Sequence, residues 1–320
     1  MLNAVITIGM LLIGFVLLVK GADFFVEGSS SVAKALKVPS LVIGMTVVAM
    51  GTSLPELSVS VTASLNDANS LAISNVVGSN LFNLIVVLGA SALVCDIPVG
   101  RDVLRRDLPF SIVCAVLLVT LGLIGSGLGH IDGVILLVLF VGFLAVMLHA
   151  ALKARRDAED DVEDEEIRVL PMWQSLLYIV GGAVAIKFGG DWVVNSAVKI
   201  AAFLGASETL IGLTIVACGT SLPELATSMV AAKKNEMDMA VGNVVGSNIF
   251  NILLILGTAA TISPVALLTE NIIDTVILVI ASVILLVFGA TSKKLDRKEG
   301  VIMLISYAVF LGYIIARAYL

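Results

Sequence analysis

Long apolar runs separated by short polar or charged clusters dominate the chain. A run of about 20 mostly apolar residues has the length of a membrane-spanning helix. Ten such runs are predicted, roughly at 3–32, 40–64, 71–94, 103–125, 130–152, 171–197, 208–231, 238–262, 271–290 and 299–319. The first lacks the basic stretch and small-residue cleavage site of a secretory leader, so it reads as a span. The predicted fold class is an all-α polytopic membrane protein of ten transmembrane helices. Composition agrees: 59% of the 320 residues are hydrophobic and the mean hydropathy is +1.09, against about 45–50% apolar residues in soluble domains.

The most informative polar positions occur inside these runs, and they occur twice. Ile43–Leu57 returns as Ile211–Leu225, with 12 of 15 positions identical at an offset of 168 residues. Asn75–Asn83 returns at the same offset as Asn243–Asn251, and Gly21 and Asp23 align with Gly189 and Asp191. Five helices per half is an odd number. The second half is therefore expected to enter the membrane from the opposite side, as an inverted-topology repeat. The expected organisation is a first five-helix repeat over 1–152, a linker over 153–170 and a second repeat over 171–320.

Charge gives this arrangement a direction. Fifteen of the 19 basic residues fall in alternate connections: Lys34 and Lys37; Arg101, Arg105 and Arg106; Lys153, Arg155, Arg156 and Arg168; Lys233 and Lys234; Lys293, Lys294, Arg297 and Lys298. The opposite side holds only Lys199 and Arg317. Basic connections favour the cytoplasm, which puts both termini outside and the 153–170 linker inside. The net charge of −6 is dominated by Asp157–Glu166, where eight of ten residues are acidic. That stretch reads as a solvated, disordered linker; it lacks the glycine-punctuated pattern of a calcium-binding loop.

The repeated block Gly51-Thr-Ser-Leu-Pro-Glu56 carries the chemistry. Pro55 has no N–H to donate and its ring clashes one turn back, so the helix kinks or breaks and the Gly51 carbonyl is freed. Such backbone survives at membrane depth only where protein, water or an ion satisfies it. Thr52, Ser53 and Glu56 can converge across about one turn, and Thr220, Ser221 and Glu224 repeat the set. A carboxylate near the bilayer centre is costly unless paired or coordinated, and no repeated basic partner accompanies these two. Oxygen-only donors suit Ca2+ or another hard cation, whereas Zn2+ or Cu would call for His or Cys. Ser79 and Asn83, like Ser247 and Asn251, share one helical face and add oxygens. Close helix packing with hydrogen-bonded glutamates is the competing reading; it accounts for the small residues and leaves two central charges unexplained.

The doubled GTSLPE and GSNxFN motifs in a ten-helix chain resemble the two alpha-repeats of the calcium/cation antiporter superfamily, and most closely its prokaryotic sodium/calcium exchangers. The resemblance spans essentially the whole chain. It implies a secondary active antiporter, not an enzyme, that exchanges Na+ for Ca2+ by alternating access in the cytoplasmic membrane of a prokaryote. It further implies a cation site formed by Glu56 and Glu224 and supported by Thr52, Ser53, Thr220 and Ser221. Ser79, Asn83, Ser247 and Asn251 complete the cluster, with backbone carbonyls from Ala49 and Ala217. No cofactor is expected. The expected partners are the transported ions Ca2+ and Na+ and the lipid bilayer, with neither nucleic acid nor an obligatory protein partner. Two positions depart from the family pattern. Ser74 stands where the second repeat has Gly242 and the family usually has Gly, and Asn251 stands where potassium-dependent relatives carry Asp. With Asn at both 83 and 251 the site has two formal negative charges. If three Na+ replace one Ca2+, as the resemblance implies, transport senses voltage.

Other readings remain open at this stage. Protonation of Glu56 and Glu224 could discharge the site, making a Ca2+/H+ antiporter. Two facing acids could serve an intramembrane hydrolase, and a channel is a further alternative. Lys20 with Asp23, and Lys187 with Asp191, have the spacing of structural ion pairs on the first and sixth spans. By resemblance those two helices slide across the other eight, and Gly21, Gly28, Gly181, Gly182, Gly189 and Gly190 would leave such a surface unobstructed; tight packing explains the same glycines equally well. Cys95, Cys114 and Cys218 read as small buried hydrophobes, and His130 and His149 as interfacial residues.

Overall fold

The structure, a computed structural model, describes residues 2–66, 69–125, 127–160 and 169–319. The first half folds as α1 (Leu2–Ala35), α2 (Ser40–Thr52), α3 (Leu54–Leu65), α4 (Leu71–Val94), α5 (Val103–Ile124) and α6 (His130–Asp160). The second repeats the order as α7 (Met172–Phe203), α8 (208–219), α9 (Leu222–Lys233), α10 (Met237–Ile262), α11 (Thr269–Ser292) and α12 (Arg297–Tyr319). Among the described residues, eight helices are long and apolar enough to cross a membrane, and the bent pair α2–α3 makes a ninth.

The bend between α2 and α3 is 49°. Its cause lies in the sequence: Pro55 and Pro223 occupy the first turns of α3 and α9, where a missing N–H costs nothing but forbids continuation from the preceding turn. Ser53 and Ser221 sit at the two breaks with nearly the same backbone angles, φ −85°, ψ 6° and φ −91°, ψ 7°. Upstream of each break the backbone widens into a π-helical stretch, Gly44–Val48 and Gly212–Val216. Two more wide stretches, Phe82–Val87 and Asn251–Leu256, interrupt α4 and α10. Wide turns of this kind often mark functional sites.

Burial ranks the helices. The most apolar window of α10 is 94% buried and that of α4 78%, against 22% for α1, 28% for α7 and 11% for α12. The polar blocks of α4 and α10 are therefore interior, while the peripheral helices turn Ile, Leu and Val outward. Two short antiparallel bridges, Ile97–Pro98 with Lys294–Leu295 and Gly127–Leu128 with Val265–Ala266, each tie one half to the other. Two-residue bridges carry no sequence pattern, and the sequence reading contained none.

Helices α1 and α7 form the largest pairwise contact and run antiparallel: Gly14 faces Gly189 and Val193, whereas Gly28 faces Ser175 and Tyr178. A Cβ at Gly21 would stand 2.8 Å from the Ile186 nitrogen, and one at Gly182 would stand 2.7 Å from the Gly21 oxygen. Gly21, Gly28, Gly182 and Gly189 thus join α1 to α7, which favours the tight-packing reading. Gly181 has nothing within 4 Å of its Cβ position, and Gly190 meets only Pro223 at 3.9 Å.

Three further sequence expectations change. Helix α6 continues through Asp160 into the predicted linker, because Ala151, Lys153, Ala154, Arg155 and Arg156 are strong helix formers; residues 161–168 of that linker lie outside the described residues. Asp23 pairs with Lys234 at 2.8 Å rather than with Lys20, whereas Lys187 and Asp191 pair as spaced, also at 2.8 Å. Finally, the Ser74 departure has a structural use. Ser74 accepts a hydrogen bond from Asn271 of α11 at 2.9 Å, while a Cβ at its counterpart Gly242 would stand 2.6 Å from the Leu41 oxygen.

Candidate cation site

Glu56 and Glu224 lie in the first turns of α3 and α9, and both are fully buried. Each accepts a hydroxyl from the other half. Ser53 donates to Glu224 Oε1 at 3.1 Å, and Ser221 donates to Glu56 Oε1 at 3.2 Å. Ser53 and Ser221 occupy the N-cap positions of α3 and α9, yet neither side chain caps its own helix. The helix starts therefore keep their free N–H groups and positive dipole ends beside the carboxylates.

The threonines make a second crossed pair. Thr52 donates to Asn243 Oδ1 at 3.0 Å, and Thr220 donates to Asn75 Oδ1 at 3.5 Å. The amides are held from within their own halves: Asn75 donates to Ser60 at 3.2 Å, and Asn243 to Ser228 at 2.9 Å. Ser79 lies 3.5 Å from the Thr220 hydroxyl, and Ser247 is 3.5 Å from Glu224 Oε1. Asn80 and Asn248 each donate to the other's main-chain oxygen at 3.2 Å. In these crossed pairs residue i meets the equivalent of j and j meets the equivalent of i, the signature of a two-fold-related contact.

The two-fold pattern fails at two pairs: Ser79 and Ser247 meet non-equivalent partners, and Asn83 and Asn251 differ as well. Asn251 donates to Asn80 Oδ1 at 2.9 Å, but neither polar atom of Asn83 finds a partner among the described residues. Glu56 Oε2, Glu224 Oε2 and Asn251 Oδ1 are also buried without partners. Buried polar atoms are almost always paired, so this concentration of orphaned oxygens calls for an occupant that accepts lone pairs. Among the described residues no ion pair includes either glutamate, and no three His, Cys, Asp or Glu side chains are grouped to hold a metal. The donor set is therefore two carboxylates with neutral hydroxyl and amide oxygens.

The structure brings Glu56, Glu224, Thr52, Ser53, Thr220, Ser221, Ser79 and Ser247 into this network, and it places Asn83 and Asn251 in the wide turns of α4 and α10. Ala49 and Ala217 stand differently. The Ala49 carbonyl accepts the Ser53 N–H at 3.0 Å and lies 3.3 Å from the Thr52 hydroxyl oxygen; Ala49 is buried, whereas Ala217 is exposed. Asn75, Asn80, Asn243, Asn248, Ser60 and Ser228 join the same hydrogen-bond network and were not among the residues expected from sequence to hold a cation. Four of them lie inside the repeated blocks Asn75–Asn83 and Asn243–Asn251, so repetition itself was the signal that could have found them.

A cavity of about 220 Å³ reaches the network from one side, lined by Pro55 and Ser58 of α3, Asp191 and Asn195 of α7, and Gly219 and Thr220.

The sequence model of a family described as "Sodium/calcium exchanger protein" matches residues 6–149 and again 174–316. The chain is 33% identical over 336 residues to the sodium/calcium exchanger MaX1 of Methanosarcina acetivorans, covering 94% of this chain and 96% of that one. It is 36% identical over 309 residues to the inner membrane protein YrbG of Escherichia coli, covering 95% of each. Among solved structures, the sodium-calcium exchanger NCX_Mj soaked with Na+ and Sr2+ superposes with a TM-score of 0.83 at 33% identity, covering 97% of this chain and 98% of that one.

Proposed function

The chain belongs to the sodium/calcium exchanger protein family, and from that premise we propose that it exchanges Na+ for Ca2+ across the cytoplasmic membrane by alternating access. The observation that carries this reading is the pair of buried glutamates with orphaned oxygens, Glu56 and Glu224, crossed by serines from the opposite half. Two carboxylates balance one Ca2+ or two Na+. Because the same oxygens serve both ions, one species leaves before the other binds, and exchange follows from shared ligands.

In this reading Glu56 and Glu224 carry the charge. Thr52, Ser53, Thr220, Ser221, Ser79, Ser247, Asn83 and Asn251 supply neutral oxygens, and the Ala49 and Ala217 carbonyls complete the shell. Glu56 and Glu224 sit in the first turns of α3 and α9, where the positive ends of the helix dipoles favour their charge. Hard oxygen ligands in such a cage favour Ca2+ and Na+ over softer metals.

The broken runs α2–α3 and α8–α9, each counted as one span, give ten spans. The antiparallel contact of the repeat-equivalent α1 and α7 supports an inverted arrangement of repeats 1–152 and 171–320 about the 153–170 linker. The basic connections put that linker in the cytoplasm and both termini outside, so the cavity beside Thr220 opens outward.

The test is calcium uptake into proteoliposomes under an imposed Na+ gradient, compared with a pH gradient of equal size. Uptake driven by Na+ is expected. Uptake driven by protons alone would replace Na+ with H+ as the coupling ion.

A further inference from the structure

The two faces of the central site are in different states. The cavity beside Thr220 separates α7 from α3. Its repeat-equivalent surface, 168 residues away, lies between α1 and α9 and is closed at the level of Ala22, Val26, Thr52 and Thr227, which are wholly buried; a separate cavity of about 340 Å³ beside Glu27, Lys34, Lys234 and Glu236 stops short of them. The Thr227 hydroxyl lacks a hydrogen-bond partner among the described residues. A hydroxyl left dry in a closed contact is relieved when water enters, so this surface suits hydration in another state.

Charge fastens the closed face. Lys234, in the α9–α10 connection, lies 2.8 Å from the Asp23 carboxylate and 3.1 Å from that of Glu27, and it donates to the Asp23 main-chain oxygen at 3.1 Å. Two residues on, Glu236 pairs with Lys34 at 3.2 Å and accepts hydroxyls from Ser30 and, at 3.0 Å, from Ser40. Burial draws the Lys234 ammonium toward neutrality, but Asp23 and Glu27 outweigh it and hold its pKa above the ordinary value.

Among the described residues the open face has no such fastening at the equivalent positions. The counterpart of Lys234 is Asn66, which donates to the Thr62 oxygen of its own helix at 2.8 Å. The counterpart of Glu27 is the neutral Asn195. Asp191, the counterpart of Asp23, is held by Lys187 on its own helix at 2.8 Å. Repeat symmetry therefore breaks where a cation would otherwise join α7 to the far side of the cavity.

We infer that Lys234 is a positioning residue for exchange: by joining Asp23 and Glu27 of α1 to the α9–α10 connection, it holds the α1 face shut and biases the protein toward the state open at α7. The inference rests on the alternating-access reading above. A site open on one face only shows nearly full affinity from that face, and from the other an affinity reduced by the minority fraction. Lys234 thus sets the ratio of the two apparent affinities without touching the ion.

Labelling rates of single cysteines test this in the full-length chain, with Cys95, Cys114 and Cys218 replaced. The reporters are Asn195→Cys in the open cavity and Thr227→Cys on the closed face, probed with a soluble maleimide. Lys234→Gln is expected to speed labelling at 227 on the order of threefold and to slow it at 195 by a smaller factor, because the favoured state loses proportionally less than the minor one gains. Lys234→Arg should keep the original rates, and Lys234→Asp combined with Asp23→Lys should restore them. Glu27→Gln, which removes one partner only, should move both rates the same way by less and serves if Lys234→Gln fails to fold. Unmoved rates, or rates that rise together as in general loosening, would overturn the inference. Opposed rate shifts in a protein that Na+ cannot drive would leave the latch standing and remove the exchange reading. Na+-driven uptake with unmoved rates would remove the latch alone.

Discussion

Ser53 gives its hydroxyl to the Glu224 carboxylate at 3.1 Å, although its own helix begins one residue later and goes without a side-chain cap. Ser221 does the same for Glu56 at 3.2 Å. An N-cap serine ordinarily stabilises its helix by about 1 kcal/mol; here that contribution is given up at both breaks. The exchange makes sense if the two carboxylates must be aimed at each other's half.

Loss of either serine should therefore weaken ion binding without unfolding α3 or α9. Glu224 Oε1 has a second hydroxyl neighbour, Ser247 at 3.5 Å, besides Ser53. Ser221→Ala is accordingly expected to cost more calcium affinity than Ser53→Ala. The expected loss is about tenfold for Ser221→Ala, the lower end for a hydrogen bond to a charged group. Calorimetric titration of both purified variants checks the order; equal affinities would remove the asymmetry.

The two central asparagines should respond differently to added charge. Asn251 donates to Asn80 Oδ1 at 2.9 Å, so an ionised Asn251→Asp would face an acceptor with an acceptor. The Asn83 side chain makes no hydrogen bond among the described residues, so Asn83→Asp breaks none. Asn251→Asp is expected to destabilise the ion-free protein by about 1–3 kcal/mol more, and added Ca2+ should reduce the gap. Thermal melts with and without Ca2+ decide it; identical melts would show that position 251 does not report on the site.

Neighbouring glycines on α7 should give opposite signs. A Cβ at Gly182 would meet backbone of α1 at 2.7 Å, whereas Gly181 has nothing within 4 Å. Gly182→Ala should lower the melting midpoint, by overpacking worth about 1–3 kcal/mol. Gly181→Ala should raise it slightly, since Gly within a helix costs roughly 0.5–1 kcal/mol relative to Ala. Equal shifts would contradict the α1–α7 contact.

The sequence made the architecture legible because a lipid-spanning helix announces itself by length and apolarity, and because the 168-residue offset marks equivalent positions. Pro55 and Pro223 pointed to the breaks, since a missing N–H acts locally. Partners across the repeat were out of reach. Nothing in Asn75 or Asn80 states that their hydrogen-bond partners are Thr220 or Asn248, because such contacts depend on how two halves dock. Lys234 is the clearest case. A lysine in a basic connection reads as a topology signal, and only the structure joins it to Asp23 and Glu27. The pairing of Asp23 with Lys20 failed for the same reason: spacing on one helix was weighed without the neighbouring element.

The central claim is that one site, charged by Glu56 and Glu224, serves both ions. Calcium titration of the purified protein at rising Na+ concentration, repeated for Glu56→Gln and Glu224→Gln, tests it most directly. The account predicts calcium binding that Na+ displaces competitively in the unaltered chain, and loss of that binding in either variant while the fold persists. Calcium affinity that is unmoved by Na+, or retained in either variant, would contradict it.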